Sequence, residues 1–135
     1  MNMNIPITAL SPEKRSLLIS SKTIPKCYLT LTGYNIETDF ISYALEIGKM
    51  QPNEKECITR TKRTRYSQLL NLYENLSRDE SLKFKFRYFP PKKWFNNLSI
   101  ETAEERLKEL KLFVESLTRY PNIMQNIYFI SFIEN

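Results

Sequence analysis

Alternation of apolar and polar positions marks the first half of the chain, and three-to-four spacing marks the second. Tyr28–Thr32 alternates and predicts a strand, and Gly33-Tyr34-Asn35 predicts a turn or bulge after it. Phe40–Ile47 predicts a second strand: Ile41, Tyr43, Leu45 and Ile47 share the core side, and Phe40, Ser42, Ala44 and Glu46 the other. The polar stretch from Gly48 to Lys55, with Pro52 inside it, predicts a turn, and Glu56–Arg65 a third strand. Together these predict an antiparallel meander with one buried face.

At Tyr66 the period changes. Leu69, Leu70, Leu72, Tyr73 and Leu76 predict an amphipathic helix from Ser67, with Ser67 as its N-cap. Ser77–Ser81 ends that helix. From Leu82 to Tyr88, apolar residues alternate with Lys83, Lys85 and Arg87, which fits a strand or an irregular surface crossing; the irregular reading is taken. Pro90 and Pro91 then enforce an extended connector presenting Lys92, Lys93, Trp94 and Phe95. Thr102–Tyr120 predicts the longest helix, with a capping box from Thr102 to Glu105 and a stripe of Leu107, Leu110, Phe113, Val114 and Leu117. Pro121 breaks it. Asn122–Phe132 predicts a last helix with Ile123, Ile127 and Ile130 inward. Residues 1–24 read as a leader or tail, with a short edge strand at 17–20, ahead of one domain over 25–135.

Composition narrows the chemistry. The 135 residues suffice for one domain, and 20 Lys and Arg against 15 Asp and Glu give a net charge of +5. That surplus favours an anionic partner: a phosphoinositide, an anionic membrane or a nucleic acid. The chain has no histidine, and its two cysteines, Cys27 and Cys57, form no metal-ligand pattern. The commonest general base is therefore missing, no nucleophile–base arrangement stands out, and the chain is not read as an enzyme. Neither a signal peptide nor a membrane-spanning run is present. Asn75-Leu76-Ser77 and Asn97-Leu98-Ser99 match the glycosylation pattern by chance on this reading.

Basic residues recur at three places: Arg65 where strand meets helix, the lysines after the double proline, and Arg106 near the start of the long helix. A helix start beside an arginine suits a phosphate. Arg65 equally suits covering a sheet edge, and Arg106 equally suits pairing with Glu104 or Glu105 on the surface.

Taken in order, Arg65-Tyr66-Ser67-Gln68-Leu69 with its leucine-rich helix, Phe89-Pro90-Pro91-Lys92-Lys93, and Glu104-Glu105-Arg106 resemble a PX (Phox homology) domain over roughly residues 25–134. PX domains bind phosphoinositides and are common in sorting nexins and other endosomal proteins. The resemblance implies an α+β fold, a three-stranded antiparallel sheet on a helical subdomain. It implies phosphatidylinositol 3-phosphate as ligand, on endosomal or vacuolar membranes, with no cofactor. By position, Arg65 is similar to the arginine on the 3-phosphate, Tyr66 to the aromatic against the inositol ring, Lys93 to the lysine on the 1-phosphate and Arg106 to the arginine on the ring hydroxyls. Lys92 replaces Lys93 if the loop shifts by one residue. Thr64, Gln68 and Leu69 depart from the family pattern, where a basic residue, an acid and a phenylalanine are usual; Arg63 offsets Thr64 in charge. Trp94, with Phe95 beside it, is the expected membrane-inserting residue, and Tyr88 and Phe89 are further candidates. Arg60, Lys62, Arg63, Lys83, Lys85 and Arg87 are candidates for diffuse attraction to an anionic bilayer. A protein-interaction scaffold, using the leader or an edge strand near Tyr28, is the alternative function, and a nucleic-acid module ranks below it.

Overall fold

In the computed structural model, described over residues 2–86, 89–93 and 97–135, the chain forms one four-stranded antiparallel sheet and four α-helices. Strands β2 (Cys27–Ile36), β3 (Ile41–Met50) and β4 (Glu56–Arg65) form the expected meander. Strand β1 (Met3–Pro6) pairs with β4, giving the order β1-β4-β3-β2. The expected sheet of three strands is thus corrected to four.

The residues read as a leader are built into this fold. Ser11 caps helix α1 (Pro12–Ser20), its side chain accepting from the Lys14 amide at 3.2 Å. Residues 17–20 therefore end a helix and form no edge strand. Helix α1 covers the sheet face expected to be solvated. Leu10 and Leu18 pack there with Tyr28 and Cys57. Glu46, read as outward-facing, accepts from the Tyr28 hydroxyl at 2.6 Å and pairs with Lys14 at 3.0 Å. Gly48 makes this possible, because a Cβ there would meet the Tyr28 ring at 2.0 Å. The expected single buried face fails because the first half of β2 is buried on both sides.

The other face carries the main core. Leu29, Leu31, Ile41, Tyr43, Leu45 and Ile47 pack there against helices α2 (Tyr66–Arg78), α3 (Ile100–Ser116) and α4 (Ile127–Glu134). The Gly33 bulge reading holds: register shifts between Leu31 and Gly33, and the strand continues past it.

The three expected helices start near, but not at, the residues that periodicity sets, Ser67, Thr102 and Asn122. Helix α2 begins at Tyr66, with Arg65 as N-cap, so Ser67 is not the cap. Helix α3 begins at Ile100, and Ser99, rather than Thr102, caps it by accepting from the Thr102 amide at 3.1 Å. Asn126 caps α4, accepting from the Phe129 amide at 3.0 Å. That restart resets the helical phase, so Phe129 is buried and Ile127, expected inward, is 71% exposed. The alternating segment after α2 is irregular over its described residues, with Leu82 and Phe84 in the core and Lys83 and Lys85 outside.

Candidate functional site

The antiparallel register of β3 and β4 sets the first half of the site. Ser42 lies opposite Arg65, so the β2–β3 turn (37–40) ends beside the β4-to-α2 junction. Arg65 is extended and exposed at that junction. Its backbone amide donates to Gln68 Oε1 at 3.2 Å, and its Nε donates to Ser67 Oγ at 3.0 Å. A guanidinium has no acceptor, so the reciprocal half of a capping box is missing and the cation stays available. Its carbon lies 4.9 Å from the Phe40 ring centre. Ser67 thus holds the arginine instead of capping the helix.

The residues that depart from the family pattern have local work. Thr64 is buried and donates to the same Gln68 oxygen at 3.1 Å, and Leu69 is fully buried in the core. An uncharged Gln at this position supplies the acceptor that both donors need.

Helix α3 brings Arg106 over Tyr66, with its guanidinium carbon 4.0 Å from the ring centre. Tyr66 is half-buried. Burial pushes its phenol above the ordinary range, against the pull of Arg106, and Glu74 adds to the upward shift. The hydroxyl therefore stays protonated, and it donates to the Pro90 carbonyl at 2.6 Å. The proline connector is fixed at a second point by Phe89, whose ring stacks on Tyr73 at 4.7 Å and meets Phe113 edge-on at 5.1 Å. Phe89 is a packing residue, which removes it from the membrane-inserting candidates.

Two adjoining depressions share Tyr66, Ser67, Asn97 and Arg106. One, of about 210 Å³, adds Arg65, Phe40 and Asp39. The other, of about 470 Å³, adds Lys92, Lys93 and Glu74. Arg65 and Tyr66, Lys92 and Lys93, and Arg106, from three separate stretches of the chain, thus line this pair of depressions, which share a wall of Tyr66 and Arg106 and together form the cleft. Lys92 and Lys93 share the same end, so the geometry does not separate them. Such a cleft offers separated fixed cations and an aromatic wall, the requirements of a phosphorylated ring.

Arg63 lies outside this cleft. It lines a neighbouring depression with Arg65 and Ser42, and its Nη2 reaches the Asn35 side-chain oxygen at 3.1 Å once that amide is oriented for its neighbours. Arg60 and Lys62, candidates for diffuse attraction, instead donate to the Ile133 and Phe132 carbonyls at the end of α4. They satisfy orphan carbonyls at a helix C-terminus. Trp94 and Phe95, together with Tyr88 and Arg87, lie outside the described residues.

Periodicity and motif order gave no signal for Asp39, Phe40, Asn97 or Glu74 as cleft residues. The pairing of β3 with β4 was the available clue for the first two, because it sets the preceding turn against Arg65. Among the described residues no helix is long and apolar enough to cross a membrane, and no acidic, cysteine or histidine cluster fits a metal ion.

A family model described as PX domain matches residues 50–135. The match takes in β4, α2, the proline connector, α3 and α4. No curated protein matches the chain.

Proposed function

The chain belongs to the PX domain family, whose members are phosphoinositide-binding, membrane-targeting modules, and we propose that its ligand is phosphatidylinositol 3-phosphate on endosomal or vacuolar membranes. The observation that carries this reading is the cleft in which Arg106 lies over Tyr66, with Arg65 at one end and the two lysines at the other.

Arg65 takes the 3-phosphate, because a planar fork matches phosphate oxygens with two parallel bonds. Arg106 takes ring hydroxyls. In the free protein its guanidinium covers the Tyr66 face, a contact worth about 0.5–2 kcal/mol. Binding exchanges that contact for hydroxyl bonds and opens the face to the inositol ring. Lys93, or Lys92 in its place, takes the 1-phosphate that joins headgroup to lipid. The prolines and the Tyr66 hydroxyl bond limit the freedom of the lysine loop, which lowers the ordering cost of binding. Nothing in this recognition makes or breaks a bond, so no general base is needed.

Trp94, with Phe95 beside it, supplies membrane insertion on this reading. Trp94→Ala is expected to weaken binding to liposomes more than binding to a soluble short-chain headgroup. Equal losses by calorimetry would remove the insertion role. The main test is liposome binding across all singly and multiply phosphorylated phosphoinositides, with a soluble RNA oligonucleotide as competitor. Preference for the 3-phosphate, unaffected by RNA, is expected. A folded chain that binds no phosphoinositide would leave the scaffold function instead.

A further inference from the structure

The cleft also contains a carboxylate that the reading above does not use. Asp39 lines the same depression as Arg65 and Arg106. Among the described residues the ion pair within 4.0 Å joins Lys14 to Glu46, so neither arginine neutralises Asp39 by direct pairing. The turn that carries it is braced. The Glu37 amide donates to the Phe40 carbonyl at 2.8 Å, Ser42 Oγ donates to Glu37 Oε1 at 3.0 Å, and the Arg65 guanidinium covers the Phe40 ring. A negative charge therefore lines the smaller depression, whose other charged residues are Arg65 and Arg106, while Glu74 lines the adjoining one.

We propose that Asp39 is a specificity-determining residue that excludes inositol rings carrying a second phosphate beside the one on Arg65. The proposal rests on the 3-phosphate reading of the cleft. A ring hydroxyl is a donor and can bond to the carboxylate. A second phosphate in the same place is mostly dianionic near pH 7, and it brings two negative groups together in a depression of about 210 Å³. Two arginines alone would favour more phosphate, so the carboxylate converts a general anion site into one that discriminates by charge count.

The test compares the wild type with Asp39→Asn, which keeps the size and one acceptor oxygen, turns the other into a donor amide, and removes the charge. Liposomes carrying phosphatidylinositol 3-phosphate or 3,4-bisphosphate, whose second phosphate adjoins the first, are used, with the matching soluble headgroups in calorimetry. Asp39 is exposed, so the wild-type preference for the monophosphate is expected to narrow by about fivefold in the variant. Glu54→Gln removes the same charge at the opposite end of the sheet, in the β3–β4 turn, and is expected to leave the preference unchanged. An unchanged preference in Asp39→Asn, or equal narrowing in Glu54→Gln, would overturn the proposal. So would narrowing confined to liposomes, since that is surface charge acting at long range. A wild type that binds none of these ligands would overturn the 3-phosphate reading and this inference together. A wild type that binds them with a selectivity Asp39→Asn does not alter would overturn this inference alone.

Discussion

The two ends of the cleft are held by different means. At the Arg65 end the backbone belongs to regular structure: β4 runs into α2 without an intervening loop, and β3 pairs with β4 up to the junction. At the lysine end the backbone is an irregular connector. It is held by Pro90 and Pro91, by the Tyr66 hydroxyl on the Pro90 carbonyl, and by the Phe89 ring in the aromatic core. The first end fixes a guanidinium in the ladder and helix start that made it. The second fixes the base of a loop and leaves two exposed lysines to choose between. On the proposed lipid reading, a geometry-sensitive bidentate contact falls to the first end and a point-charge contact tolerant of register to the second.

That contrast can be broken most sharply at Arg65. Arg65→Ala is expected to cost about 2–3 kcal/mol of binding to 3-phosphorylated liposomes, the scale of bonds to charged groups. The fold should persist, because the side chain is exposed and contributes no acceptor to the helix start. Full affinity in a variant with unchanged circular dichroism would take the anchor away from this end. At the other end Lys93→Ala and Lys92→Ala are expected to differ, Lys93→Ala losing about 1.5 kcal/mol and Lys92→Ala less. The reverse order would shift the loop register by one residue, and equal small losses would mean that the lysines act only as diffuse charge.

The subtlest test separates the wall from the tether. Tyr66→Phe keeps the ring beneath Arg106 and removes the bond to Pro90. It is expected to weaken headgroup binding by at most about 1 kcal/mol, since the bond is already made in the free protein and only its ordering of the loop carries over to binding. In combination with Lys93→Ala the two losses should be less than additive, because both act on the same loop. Simple additivity would show that the tether does not organise the lysine end.

Much of the fold was legible because it rests on local repeats. The core side of β3 and the extent of β4 follow the period of two, and the buried leucines of α2 follow the period of 3.6. Helix starts were less legible. At α3 the oxygen that meets an orphan amide is that of Ser99 rather than Thr102, and at α2 the N-cap is Arg65, whose side chain offers no acceptor, because β4 runs straight into the helix ahead of Ser67. The inward reading of Ile127 failed for a related reason, since the Asn126 cap restarts the helix and rotates its faces. The N-terminal segment escaped because α1 buries only Leu18, too little to show a period.

By its amino-acid order alone this chain determined an α+β meander and helices, a basic surplus, and the candidate cations Arg65, Lys92, Lys93 and Arg106 with the aromatic Tyr66. These follow from residue type and short-range spacing. Tertiary structure decided that β1 extends the sheet and α1 covers its second face, that Arg60 and Lys62 close the end of α4, and that Asp39 shares a cavity with Arg65 and Arg106. Each depends on contacts between residues far apart in the chain, and local periodicity carries no record of which distant segments will meet.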